Sequence, residues 1–330
     1  MTLLLMGDIN VDTTMSIDKY PLIGEDAFAD RISTQPGGGI VNSAASLAGL
    51  GADVALSAST GQDVWAEMVL RKLKEAGVEL SRVVQLADAT TGLIFLPVFE
   101  GERTMFSYRG ANELYHPDWL NDDYLQGVEL LHFSSYALLT QPYRDSILKA
   151  IVMAHNANIP VSVDMSFEPV LQQTEVFRQL LPGLAVCILG MQEAVQLVGR
   201  KTADECADSL LDAGVKLVGI KLGKQGALLA RMGERKMFPI FNVDTVDTTG
   251  AGDSFSSGMI YGYHYGFDLE ATGTLASALG ALATTVYGGG LGMDWHSKLG
   301  LFLEERQGTS DVQAFGNGIE KLMEHLKLAE

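Results

Sequence analysis

Six short apolar runs recur along the chain, and they constrain the fold more than any other feature. They are "LLLMGDIN" (3–10), "VALSAST" (54–60), "ELLHFSS" (129–135), "IPVSVDMS" (159–166), "LAVCILG" (184–190) and "KLVGIKLG" (216–223). A short apolar run that does not alternate with polar residues suits a strand buried on both faces, as in a parallel sheet. Stretches of helical spacing lie between the runs, at 63–77, 142–157 and 203–213, and the first stops at Gly77. Alternation of this kind builds βαβ units and a mostly parallel sheet covered by helices on both faces.

Two segments break the alternation. Residues 12–36 and 91–110 read as antiparallel strands, the second turning at "EGE" (100–102). Together they read as a small β-sheet projecting from the main domain. Such a piece can cover the cleft at the C-terminal ends of parallel strands, where open α/β sheets bind ligands. Downstream, 254–265 and 269–286 read as helices rich in small residues, and 294–307 as another. The polar, Gly-rich stretch 308–318 reads as a linker to a last amphipathic helix, 319–330.

Charge narrows the function classes. At a net charge of −18 the surface repels nucleic acid and anionic lipid. A small anionic ligand needs a local site that overcomes this field. Cys187 and Cys206 are the two cysteines, and no CxxC or Cys/His metal spacing exists, so both read as buried, inert thiols. The six histidines show no metal spacing either, and His132 reads as a core residue. Tyr261, Tyr263 and Tyr265 and the tryptophans Trp65, Trp119 and Trp295 read as packing. The opening "MTLLLMGDIN" has no basic leader, and its apolar run is too short for a signal peptide or a membrane span; the expectation is a cytoplasmic protein.

Three clusters carry chemistry. In "VDTTGAGDSF" (246–255), Gly250, Ala251 and Gly252 lead into a helix. A helix N-terminus exposes unpaired N–H groups and partial positive charge, and glycines admit a ligand to the backbone. This is an anion hole suited to a transferring phosphoryl group. Asp253 sits among those donors either as a general base for an attacking hydroxyl or as an ordinary acidic first-turn residue. In "PGGGIVNSAASLAGLG" (36–51) glycines again precede a helix, without the lysine and hydroxyl of a P-loop. Asn42 there offers both a donor and an acceptor. In "GDINVD" (7–12), Asn10 and Asp12 fall on one side of an extended chain, and an amide and a carboxylate so placed can bind vicinal hydroxyls.

These three motifs, in this order and spacing, resemble the ribokinase-like carbohydrate kinases of the PfkB family, over about residues 3 to 306. The resemblance implies a three-layer α/β/α fold with a small β-sheet lid that often forms dimer contacts. The kinase domain would span 1–307, with the lid formed by about 12–36 and 91–110, and 308–330 would be linker and helical tail. It implies Asp253 as catalytic base and the Gly250, Ala251 and Gly252 amides as the hole for the γ-phosphate of ATP. Positions matching Asn10, Asp12, Gly38 and Asn42 hold sugar hydroxyls. The stretch "KLGKQG" (221–226), with Lys221, Gly223 and Gly226, lies against the nucleotide. Glu193 belongs to a motif that organises Mg²⁺ and phosphate. Asp247 and Thr249 match positions that help hold a monovalent cation such as K⁺.

The chain departs from the family pattern in places. The Asn of the family's Asn-x-x-Glu motif is Gly190. The usual small hydroxyl residue before "LG" is Lys221, which either contacts phosphate in place of the missing group or points to solvent. Ribose kinases carry a lysine where Gly39 stands, so ribose is disfavoured. Arg109, in the lid hairpin, suits a carboxylate or phosphate on the substrate or is a solvated lid charge. The expectation is an ATP- and Mg²⁺-dependent kinase of a small sugar or sugar acid, acting on a hydroxyl. A nucleoside kinase, with Phe28, Phe95, Phe99 and Phe106 as candidate clamp residues, and a non-catalytic sugar-binding regulator are the alternatives. Neither nucleic acid nor membrane is an expected partner; a second copy, through the lid, is.

Overall fold

Leu3, Leu4, Leu5 and Met6 have no exposed surface, as a strand covered on both faces requires. They form β1 (Thr2–Met6) in a computed structural model that describes residues 2–100 and 102–328. From β1 the chain leaves for β2 (Asn10–Ile17) and β3 (Ala29–Gly37), then returns through α1 (Gly39–Gly49) to β4 (Asp53–Gly61), α2 (Val64–Glu75) and β5 (Glu79–Leu86). A second excursion makes β6 (Gly92–Phe99), β7 (Glu102–Arg103) and β8 (Phe106–Tyr108). Next come β9 (Val128–Ser134), α3 (Tyr143–Asn156), β10 (Val161–Met165), α4 (Phe167–Gln172) and α5 (Thr174–Leu180). They lead to β11 (Leu184–Gly190), α6 (Met191–Val198), α7 (Ala203–Asp212) and β12 (Leu217–Lys221). The hairpin β13 (Ala227–Arg231) and β14 (Glu234–Phe238) precedes α8 (Ala251–His264), α9 (Leu269–Ala283), α10 (Trp295–Glu304), α11 (Ser310–Phe315) and α12 (Gly318–Leu328).

The main sheet runs β14-β13-β12-β11-β10-β9-β1-β4-β5. It is parallel from β12 to β5, and the two strands at the β14 edge are antiparallel. One apolar cluster lies beneath α1, α8, α9 and α10, the other beneath α3, α6 and α7, so the sheet is the middle of three layers. All six apolar runs became strands. The sequence reading did not anticipate β5 or the β13–β14 hairpin. His132 is buried and hydrogen-bonded to Ser162 at 2.9 Å, and both cysteines are free and buried. Among the described residues no helix is long and apolar enough to cross a membrane.

The second sheet runs β3-β2-β6-β7, with β8 also on β6. It corrects one expectation: β2 and β6 pair in parallel, from Asn10↔Gly92 to Ser16↔Val98, so this sheet is mixed. Both strands leave the main sheet in the same direction, and the α1–β5 stretch joins them instead of a turn. Parallel pairing follows from that connection.

The tail gives a second correction. The stretch expected as a linker contains α11, and Phe315 at its end is fully buried. Its ring stacks on Phe241 at 3.9 Å and 3°. Ile319, Leu322 and Met323 of α12 are buried in the cluster beneath α9.

Candidate active site

Helix α8 begins with no side chain capping its N-terminus, which leaves first-turn N–H groups for a ligand. Gly250, before its first residue, has φ 74°, and a Cβ there would lie 2.5 Å from Gly289 Cα. Only glycine meets both demands. Asp253 is the third residue of α8. Its Oδ2 accepts a 2.8 Å hydrogen bond from Asn42 Nδ2, across from α1. Its main-chain carbonyl accepts from the hydroxyls of Ser43 (3.2 Å) and Ser257 (2.9 Å). Burial raises the Asp253 pKa; the bond from Asn42 opposes this, the nearby Asp164 charge adds to it, and Lys221 and Arg103 oppose it.

Beside Asp253, the glycine turn before α1 brings backbone close to side chains. Gly38 has φ 100°, and a Cβ would lie 2.4 Å from the Asp8 carbonyl oxygen. A Cβ on Gly39 would lie 2.9 Å from Asp253 Oδ1, so a longer side chain there crowds that carboxylate. Asp12, on β2, lies against Gly37 and has its pKa pushed up to about 7 by burial and by the charge of Asp253. Asp12 Oδ1 and Asn42 Oδ1 are both buried without a hydrogen-bond partner.

Asn10 is held by a residue the sequence reading passed over. Asn112 Oδ1 accepts from the Ile9 N–H at 2.9 Å, and its Nδ2 donates to Ile9 O (3.0 Å) and Asn10 Oδ1 (2.8 Å). With its carbonyl oxygen engaged, Asn10 has its NH₂ to offer a ligand. Arg109 stands beyond the β8 end of the lid rather than within its hairpin. Its guanidinium grips Asp8 with two nitrogens, at 3.1 and 3.2 Å. Burial pushes the Asp8 pKa up to about 6 despite that pairing. Arg109 is therefore committed to a protein carboxylate and is not a solvated lid charge.

On the far side of the α8 N-terminus, Lys221 Nζ donates to Asp164 at 2.9 and 3.2 Å. It lies 3.5 Å from the point that a Cβ on Gly252 would occupy. Lys221 thus faces the site rather than solvent. Glu193 occupies space that Gly190 leaves: a Cβ on residue 190 would lie 2.3 Å from Glu193 Oε2. Gly226, with φ 89°, turns the backbone so tightly that a Cβ would overlap Phe238 O. Gly223 opens the 3₁₀ turn before it. Among the described residues no group of three His, Cys, Asp or Glu side chains could hold a metal. A divalent ion here would need phosphate oxygens in its shell, which suits Mg²⁺ arriving with a nucleotide.

Asp247 wires the loop before α8. Its Oδ1 accepts the N–H (2.9 Å) and hydroxyl (2.8 Å) of Thr249, and Oδ2 accepts the Gly288 N–H at 3.1 Å. Burial works against the charge, but these bonds hold the Asp247 carboxyl below the usual range. Gly288, Gly289 and Gly290 all have positive φ, and Gly289 sits between Gly250 and Asn42.

Residues 3–296 match the family model described as "pfkB family carbohydrate kinase". The chain belongs to this family. The kinase is 32% identical over 257 residues to probable fructokinase-4 of Arabidopsis thaliana, covering 74% of this chain and 79% of that one. It is 26% identical over 282 residues to 5-dehydro-2-deoxygluconokinase of Shouchella clausii, covering 82% and 86%. Its fold matches a putative ribokinase II from E. coli, solved with ATP and Mg²⁺, at TM-score 0.81 and 21% identity, covering 92% of this chain and 99% of that one.

The fold of this kinase brings Asn42, Gly39 and Asp253 together from positions far apart in sequence. Sequence reasoning missed Asp8, Asn112, Asp164, Ser256 and the 288–290 glycines. Three adjacent glycines were a readable signal. The others are single polar residues at strand or turn ends, whose partners only the tertiary structure supplies.

Proposed function

We propose that this kinase transfers the γ-phosphoryl group of ATP to a hydroxyl, most simply a primary one, of a small sugar or sugar acid. One observation carries the reading: Asp12 Oδ1 and Asn42 Oδ1, two buried acceptors without partners, flank Asp253. A buried acceptor without a donor costs about 1–3 kcal/mol. A polyhydroxylated ligand supplies the donors and presents one hydroxyl to Asp253.

In this reading Asn10, Asp12 and Asn42 orient the sugar over Gly38 and Gly39. Asp253 takes the hydroxyl proton, and its raised pKa suits a base working near neutrality. The substrate oxygen forms a bond to the γ-phosphorus as the bond to the ADP oxygen breaks. The amides at Gly250, Ala251 and Gly252 receive the charge on the phosphoryl oxygens. Mg²⁺ bound with the nucleotide supplies further charge neutralisation, with Glu193 placed to orient its shell. The lid excludes water that would hydrolyse ATP. Because Arg109 is held by Asp8, the carboxylate of a sugar acid would meet Arg103, whose charge reaches Asp12, Asp247 and Asp253.

Two accessory features belong to the same proposal. Asp247 Oδ1 is saturated and Oδ2 keeps one lone pair, so a monovalent cation there, beside Thr249, would rest mainly on backbone carbonyls. Comparing activity in K⁺ and in a bulky organic cation tests this. Leu22, Ile23, Phe28 and Ile32 expose a large apolar surface on the lid, which supports a homodimer joined there. Sedimentation as a monomer at assay concentration would remove that element.

The deciding experiment is an ADP-release assay across sugars, sugar acids and nucleosides. Nucleosides belong in it because Phe28, Phe95 and Phe106 are exposed on the lid. Turnover confined to one sugar or sugar acid is the expected result. Turnover only with nucleosides overturns the substrate class. Tight sugar binding without any turnover overturns catalysis and leaves a regulator.

A further inference from the structure

Asp164 ends β10 at the C-terminal edge of the sheet, and the mechanism above gives it no part. It holds Lys221 Nζ with both oxygens, at 2.9 and 3.2 Å, and its Oδ2 also accepts the Ser256 hydroxyl at 2.8 Å. That hydroxyl is equally within reach of Gly252 O, at 3.0 Å. Asp164 is thus tied through Ser256 to helix α8, and through Lys221 to the space beside Gly252. The pair is largely shielded from water, with side chains 25% and 17% exposed.

A lysine is a compact cation on a flexible stem, and fixing it in place costs rotamer entropy. Asp164 meets that cost before any ligand binds. An ammonium has three donors, and the contacts to one carboxylate leave at least one for a second anion. The nearest place for that anion is the mouth of the hole, where Nζ lies 3.5 Å from the Cβ position of Gly252. On the facing edge of β11 the register pairs Gly190 with Lys221, and the Glu193 carboxylate fills the space Gly190 leaves, so that side of the lysine already has an anion and the side at Gly252 is the open one.

We propose that Asp164 is a positioning residue that holds Lys221 at the anion hole, where Lys221 contacts the terminal phosphate of ATP. This rests on the kinase reading and deepens it: Lys221 reads the phosphate that is transferred, not the part of the nucleotide left behind. When the phosphate arrives, the ammonium shares itself between Asp164 and the phosphoryl oxygens. Asp164 stays bound to Ser256, so the carboxylate keeps its place while the lysine leans across.

The test compares Mg²⁺-bound ADP with a Mg²⁺-bound non-hydrolysable ATP analogue by calorimetry, with no sugar present. Lys221→Met should weaken the analogue by about tenfold more than ADP, the loss expected for one charge-assisted hydrogen bond. Lys221→Arg should recover part of the difference. Asp164→Asn should show the same selective loss to a smaller degree, with kcat falling more than the KM for sugar rises. The double variant Lys221→Met/Asp164→Asn removes both charges and guards against misfolding; it should match Lys221→Met. Equal losses for ADP and analogue, or no loss in any variant, overturn the proposal. A wild-type protein that binds the analogue but phosphorylates nothing overturns the kinase reading and leaves the Lys221 contact standing on the binding data.

Discussion

Asp253 and Asp12 bring two carboxyl groups to the proposed sugar site, and burial shifts both pKa values upward. Replacing Asp253 with Asn keeps the shape and the bond from Asn42 but removes the proton acceptor. Turnover should fall on the order of a hundredfold or more, while nucleotide affinity measured by calorimetry stays within a few-fold. Near-normal turnover would remove Asp253 from the role of base. Asp12 makes the opposite kind of contribution, to stability. Its carboxyl sits at about 7 in the folded chain against 3.8 for an ordinary aspartate. Between those limits the folded state keeps a proton that the unfolded state releases, so the free protein loses stability as pH rises from about 4 towards 7. Asp12→Asn removes that dependence. Denaturant unfolding should show the variant gaining on the order of 2 kcal/mol more at pH 8 than at pH 5. Sugar binding should respond in the other direction: hydroxyl donors favour ionised Asp12, so the wild-type KM for sugar should fall as pH rises through about 7. A flat KM profile there, with kcat still responding to pH, would detach Asp12 from the substrate.

Between elements, the proposed anion hole depends on a contact of two backbones. Gly250 meets Gly289 with no room for a methyl group, and its left-handed φ costs any other residue about 1–2 kcal/mol. Gly250→Ala should therefore push the α8 N-terminus away from the 288–290 loop. We expect kcat to drop by more than tenfold with only a modest fall in Tm, because the α8 and α9 core beneath is untouched. An equal loss from Gly266→Ala, a positive-φ position with open space around it, would mean that general backbone strain is the cause. The same contact marks where sequence reading stops. The apolar runs announced β1, β4, β9, β10, β11 and β12 because a strand buried on both faces has a local signature. The β13–β14 hairpin lies at the sheet edge, and β14 (ERKMF) is mostly polar and exposed, so no such signature marks it. The parallel β2–β6 pairing joins segments separated by two helices and three strands, and no local pattern encodes it. The motifs located Asp253, Asn42 and the glycines. They could not show that Arg109 belongs to Asp8 or Lys221 to Asp164, because an ion pair between distant segments leaves no mark at either position.

Across the whole molecule, a chain of net charge −18 keeps one helix N-terminus uncapped with Lys221 beside it, where the proposed phosphate site lies, and the tail packs behind that region. Phe315 stacks on Phe241 and lies 6.4 Å from the Phe238 ring. The Phe238 carbonyl in turn abuts Gly226, in the turn that follows Lys221. Emptying the Phe315 site should act in two ways. Loss of a fully buried ring costs about 3–5 kcal/mol, and a chain of this size should show it as a drop in Tm of several degrees. The slackened Phe238–Gly226 contact should also raise the KM for ATP a few-fold. The proposed sugar-binding side chains Asn10, Asp12 and Asn42 stand on β2 and α1, elements to which none of these rings belongs, so the KM for sugar should hold. Phe315→Leu refills most of the volume and should return both Tm and the ATP KM towards wild type. If Phe315→Ala instead raised both KM values alike, the tail would be supporting the core as a whole and not the nucleotide side of the cleft.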